Sequence, residues 1–264
     1  MLRIATVNEL HSADTNKTYS QLVSAMQHQP LDILFGQTAC IAGSDPHGQA
    51  RALAQSLKMT YMYSNSAQEY DAAATFSKEK KKVQTGFSIL TGKDCWMLNS
   101  GSMSLNENNK GPTQAQFGVI RINSNSVLVI NVRFIGKNTK KQLLQLLNHP
   151  LLFQQFGALI LNSNLNLMLN DKTIKKVFDS KGLTTHRPNL HPSSHTPLSI
   201  LTYKETPLTS IAMGSTSRLP LADGRITELE MTRLPKNQRR KRYQPLSFRE
   251  RWLGSRDGYR AFAY

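Results

Sequence analysis

The sequence predicts an α/β fold, and three observations carry that prediction. Short apolar runs alternate with longer amphipathic segments through the first half of the chain. A series of consecutive strand patterns then follows, as in antiparallel meanders. Hydrophobic residues make up 39% of 264 positions, enough for one large core with an appendage.

Taken in order, Leu2 to Asn8 reads as a buried strand. Asn16 to Gln27 sets Tyr19, Leu22, Val23 and Met26 at i, i+3, i+4 and i+7, one face of a helix. Asp32 to Gln37 is the next strand. Gln49 to Lys58 predicts a second helix with Ala52, Leu53 and Leu57 inward. Strands are expected at 59–64, 71–76, 86–91, 94–98, 115–122 and 125–134. Asn138 to Asn148 predicts a helix capped by Asn138, Gly157 to Asn162 a fully buried strand, and a helix begins near Asp171. The His-, Pro- and Ser-rich stretch Thr185 to Pro197 reads as a surface loop, and 198–204, 208–214 and 224–232 as strands that complete a second sheet. Beyond that the character changes: residues 233–264 hold ten Lys or Arg, two acids and six aromatics. The domain boundary is therefore set between 1–232 and a basic extension at 233–264.

Lys and Arg outnumber Asp and Glu by 33 to 17, a formal charge of +16, which points to a polyanionic partner. Two cysteines, Cys40 and Cys95, form neither a disulfide framework nor a CxxC zinc site, and a reducing compartment fits them. The N-terminus enters strand-like sequence directly, without the pattern of a signal peptide, and no apolar run of about 18 residues is long enough to span a bilayer. A soluble, cytoplasmic protein is the expectation.

Six segments gain meaning from their order. Ile4-Ala5-Thr6-Val7-Asn8 is a strand ending in Asn, and Asp32-Ile33-Leu34-Phe35-Gly36-Gln37-Thr38 a strand ending in Gln-Thr. Gly86-Phe87-Ser88-Ile89-Leu90-Thr91 follows, then Val127 to Phe134 with Lys141-Gln142-Leu143 behind it, then Ala158 to Asn164, and finally Gly214 to Leu221. In this order they resemble the endonuclease/exonuclease/phosphatase superfamily, which includes apurinic endonucleases, DNase I, inositol phosphatases and cytolethal distending toxin nucleases. The resemblance spans roughly residues 2–232. It implies a DNase I-like fold: a two-layer β-sandwich flanked by helices, here with the basic aromatic C-terminal extension added.

What the resemblance implies about chemistry is largely missing. Members hydrolyse phosphate esters by holding a divalent cation on carboxylates and activating water with an Asp and a His. Asn8 matches the metal-site Asn, but Thr38 stands for the Glu of Gln-Glu. Arg133 stands for the His of Asn-x-His, and Asn162 for the Asp of Gly-Asp-x-Asn, whose Asn survives as Asn164. Thr209 falls on another acidic position, and Ser217 and Arg218 replace the Asp and His of the closing segment. No catalytic set remains, and no cofactor is expected. Arg133 and Arg218 would make the old cleft electropositive, suited to holding phosphate directly.

Other basic positions extend that surface. Lys80, Lys81 and Lys82 lie between two strands, and Arg239, Arg240, Lys241 and Arg242 cluster ahead of Trp252 and Tyr259. Basic residues interleaved with aromatics suit single-stranded nucleic acid or an anchoring peptide on a partner protein. His186, His191 and His195 lack the Cys or acid that would complete a zinc shell nearby and read as surface histidines. The expectation is a non-catalytic binding or assembly component, docked through 233–264 onto a protein complex and contacting nucleic acid. Its alternative is an active, magnesium-dependent phosphodiesterase, nuclease or phosphatase with a rearranged site, which needs acids such as Glu9, Asp45, Glu69, Asp71 or Asp223 to converge near Asn8 and Asn164.

Overall fold

The computed structural model describes residues 2–8, 20, 23–24, 30–41, 46–71, 82–105, 114–122, 125–132, 134, 139–153, 156, 158–163, 172–180, 182–186, 198–203, 209–218 and 224–233. Two six-stranded sheets pack face to face, with helices on their outer faces. The first sheet has the order β11-β12-β1-β2-β4-β3, with β1 Leu2–Asn8, β2 Ile33–Ile41, β3 Thr60–Asp71, β4 Lys82–Thr91, β11 Thr209–Arg218 and β12 Gly224–Arg233. The second has the order β5-β6-β7-β8-β10-β9, with β5 Cys95–Ser104, β6 Gln114–Ile122, β7 Asn125–Val132, β8 Ala158–Asn162, β9 Leu183–His186 and β10 Leu198–Tyr203. Each sheet has one parallel pair at its centre, β1 with β2 and β7 with β8, and antiparallel pairs everywhere else.

Alternation along the strands explains three layers of core. Leu2, Ile4, Ile33, Phe35, Ile89, Ile120, Val127, Val129 and Ile160 meet between the sheets. Their neighbours Ala5, Val7, Leu34 and Leu90 face outward under the helix α1, Pro46–Leu57. Leu128, Ile130, Val132, Leu159 and Leu161 do the same under α2, Thr139–Leu147, and α3, Lys172–Ser180. Strands covered on both faces read as continuous apolar runs, which is why Val127-Leu128-Val129-Ile130 shows no period-2 pattern.

On α1 the buried stripe is Ala50, Leu53 and Ala54 with Leu57 packed beside them, while Ala52 is exposed, one position off the expected face. The helix closes on Lys58, whose φ of 54° is left-handed. Lys58 N–H donates to Gln55 O and Met59 N–H to Ala54 O, so the last turn is capped by a Schellman motif. Of the helix expected over 16–27, the described residues Ser20, Val23 and Ser24 are helical. Asn138, its proposed capping role included, lies outside the described residues.

Three expectations are corrected. The strand expected at 59–64 is longer than its pattern: β3 runs unbroken from Thr60 to Asp71, with a register shift between Asn65 and Glu69, and residues 72–76 of the strand expected at 71–76 lie outside the described residues. Thr185 and His186 are not loop but the end of β9, paired with Leu201 and Ile200. The three closing strands do not share a sheet, because only β10 joins the second, whereas β11 and β12 cross to the first and cover the open side of β1. An N-terminal strand with one free edge needs such a neighbour, and local sequence does not say which strand supplies it. No helix among the described residues is long and apolar enough to cross a membrane.

Candidate functional site

The C-terminal ends of the two parallel pairs lie at one end of the sandwich, the place where α/β sheets present ligand sites. Asn8 ends β1 in register with Gln37, and the next residue, Thr38, pairs with Gly86. Arg218 ends β11 beside Arg225, which in turn pairs with Thr6 of β1, so Ser217 and Arg218 come to the same end. In the second sheet Asn131 pairs with Asn162. Backbone register thus brings together Asn8, Thr38, Asn162, Ser217 and Arg218 from the positions named by sequence. Thr209 is not among them: it pairs with Arg233 at the opposite end of β11, nine positions and roughly 30 Å away. Lys82 heads β4 at the site end, paired with Asp71. Arg133, Asn164, Lys80, Lys81, Arg239, Arg240, Lys241, Arg242, Trp252 and Tyr259 lie outside the described residues, as do Glu9, Asp45, Asp223, His191 and His195.

Beneath this end sits a buried amide network that sequence reasoning missed. Both Nδ2 hydrogens of Asn131 are used, donating to Gly36 O at 2.9 Å and Ser88 O at 3.1 Å. Those carbonyls belong to β2 and β4, so one side chain of the second sheet fastens two strands of the first. Asn131 Oδ1 accepts Asn162 Nδ2 at 2.9 Å. A Cβ at Gly36 would run into the Ser88 hydroxyl, which would have to turn away. Gln116 of β6 is the register neighbour of Asn131. Gln116, Asn131 and Asn162 are each fully buried, and Thr6 of β1 nearly so.

The space between the sheets therefore changes character along its length. Its middle is aliphatic and aromatic, whereas the level just below the site end is built of neutral amides. Three amide atoms at that level have no hydrogen-bond partner among the described residues: Gln116 Nε2 and Oε1, and Asn162 Oδ1. Each such buried atom costs about 1–3 kcal/mol of unrecovered desolvation. The available signal was a polar residue ending two four-residue apolar runs, Asn131 after Val127 to Ile130 and Asn162 after Ala158 to Leu161.

Magnesium asks for several oxygen ligands with carboxylate among them. At the amide level the described residues offer two oxygens without a partner among them, Gln116 Oε1 and Asn162 Oδ1, both neutral, while Asn131 is turned inward to two carbonyls. Among the described residues no group of three His, Cys, Asp or Glu is placed to hold a metal. The buried amides by themselves supply no carboxylate to a divalent cation. Cys95 is buried at the start of β5, and burial, then the nearby Asp32 and Asp94, push its thiol up to about 12, so this thiol is no nucleophile near neutral pH.

The arrangement of two sheets, paired parallel centres and flanking helices is the DNase I-like fold of the endonuclease/exonuclease/phosphatase structures. One of these is an endonuclease/exonuclease/phosphatase family protein from Leptotrichia buccalis C-1013-b, with a TM-score of 0.61 and 12% identity over 87% of this chain and 100% of that one. Another is the human Nocturnin catalytic domain with bound sulfate, at 0.60 and 11% over 88% of this chain and 93% of that one. A third is D. rerio TDP2 with a single-strand DNA product, at 0.56 and 11% over 87% and 98%. The likeness is one of fold. In sequence, no family model and no curated protein matches.

Proposed function

We propose that this chain is a non-catalytic binding and assembly component that uses a DNase I-like scaffold to engage nucleic acid and docks into its complex through residues 233–264. The observation that carries this reading is Asn162. At the strand end where the resemblance calls for a carboxylate stands a neutral amide, fully buried and tied to Asn131. Without a carboxylate the cation loses its strongest ligand, and without Asp or His the attacking water loses its base. Arg218 at the same end adds positive charge where the hydrolases need negative. The excess of 33 basic over 17 acidic residues supports a polyanion as the partner. That a protein of the same fold was solved with single-stranded DNA supports nucleic acid as that polyanion.

A second reading has one observation in its favour. β3 carries Glu69 and Asp71 past the level of Thr38, paired with Gln84 and Lys82 at the site end of the first sheet. An active phosphodiesterase or phosphatase with a rearranged site would recruit these acids. The two readings part on the extension. Reversing Arg239, Arg240, Lys241 and Arg242 to Glu in the full chain is expected to weaken binding to RNA or single-stranded DNA and to lower its salt dependence. Unchanged affinity in that variant would remove the extension from the nucleic-acid interface and leave it docking into the complex as its only role.

A further inference from the structure

A second positive surface lies on the outer face of the second sheet. β7, α2 and β8 form a crossover between parallel strands, and α3 follows β8, so both helices begin near the C-terminal ends of β7 and β8, on the side of the amide level. Leu143, Leu146 and Leu147 of α2 and Ile174 and Phe178 of α3 are buried in the same cluster against the sheet. That burial fixes which residues face water. Lys140 and Lys141 of α2 and Lys172, Lys175 and Lys176 of α3 are all exposed. The last three, at i, i+3 and i+4, share one side of their helix.

Within the spans of these helices the charge order is the reverse of what an isolated helix favours, although in sequence Asp171 directly precedes α3. A helix N-terminus is the positive end of the backbone dipole and stabilises acids, while its C-terminus stabilises bases. Neither α2 nor α3 has an acid in its first turn or a base in its last. Lysines occupy the first turns instead, and Asp179, the one carboxylate on either helix, is in the last turn of α3. Lys172 and Lys176 also stack like charges at i, i+4, a further destabilising arrangement. A bound polyanion relieves all of these at once, because phosphates meet both the lysines and the positive helix ends.

We propose that the lysine face of α2 and α3 is a track for the phosphodiester backbone of nucleic acid, leading from the outer face of the second sheet toward the site end. The proposal rests on the nucleic-acid reading above and adds a surface within the folded domain, separate from residues 233–264. A backbone track is indifferent to base sequence and sensitive to salt.

The test compares three full-length proteins in salt titrations against single-stranded RNA, single-stranded DNA and duplex DNA. Lys172→Glu, Lys175→Glu and Lys176→Glu are combined in one variant. An equal reversal of charge elsewhere, Arg51→Glu with Lys58→Glu and Lys93→Glu, serves as the second. These control residues are also exposed, on α1, at its C-terminal cap and in the turn before β5. The expected result is a fall of about tenfold or more in affinity and a loss of about two to three from the log–log salt slope for the α3 variant, with a much smaller change for the control. Equal losses in both variants, or no loss in the α3 variant, would overturn the track while leaving the broader reading in place. No binding by the unmodified chain overturns both. If the Glu variant fails to fold by circular dichroism, the Lys→Gln triple, which removes charge without reversing it, is read by the same criteria.

Discussion

Asn131 is the residue on which the site end depends structurally. Leucine at 131 keeps the volume but leaves Gly36 O, Ser88 O and Asn162 Nδ2 without their partner. Asn131→Leu is expected to lose about 2–4 kcal/mol in urea denaturation. Gln116, its register neighbour, should behave in the opposite way. Its two amide atoms are buried and have no partner among the described residues, so Gln116→Met exchanges an uncompensated amide for a side chain of similar volume. The expected outcome is stability equal to the parent's or higher by about 1–2 kcal/mol, with an unchanged urea m-value. A large destabilisation would mean that the Gln116 amide has a partner of its own. The sequence made Asn162 visible as a substituted position, but not its hydrogen bond to Asn131. Residues 31 positions apart are joined only once β7 and β8 pair in parallel.

At the scale of the element, local chemistry was legible and pairing was not. Apolar periodicity located α1, and helix start signals located α2 and the beginning of α3, each of which buries one stripe: Ile174 and Phe178 on α3, Leu143, Leu146 and Leu147 on α2. It misplaced the stripe of α1 by including Ala52, since alanine carries little hydrophobic signal and only Ala50 and Ala54 are buried. It also missed β9, a four-residue strand whose Leu183-Thr184-Thr185-His186 is too short and too polar to announce itself before a Pro-rich stretch. The C-terminal cap of α1 was equally invisible, because a lysine sits where the motif favours glycine. Lys58 holds φ at 54° against its own Cβ, so Lys58→Gly is expected to raise stability by about 0.5–1 kcal/mol in thermal or urea unfolding. A loss would show that the Lys58 side chain contributes more than the cap geometry costs.

For the whole molecule, order along the chain was the informative property. Segments ending in Asn8, Thr38, Asn162 and Arg218 are far apart in sequence, yet the two sheets gather their ends at one pole of the sandwich. Thr209 failed because a ten-residue strand has two ends, and the sequence pattern did not say which one faced the pole. Charge at this scale points the same way as the site. The pole is built on neutral amides, Arg218 ends β11 there, and the helices beside it carry lysines in their first turns. On the function proposed above, this scaffold would present the charge of a phosphate binder in place of that of a cation site.

The measurement that bears most directly on this is a salt-dependent titration of the full chain against RNA, single-stranded DNA and duplex DNA with magnesium present, in which strand integrity is followed in the same samples. The expected result is binding that weakens linearly with log salt, to strands that stay intact over many hours. Strand cleavage that requires magnesium and is abolished by a chelator would contradict the account and return Glu69 and Asp71 to the centre of an active site.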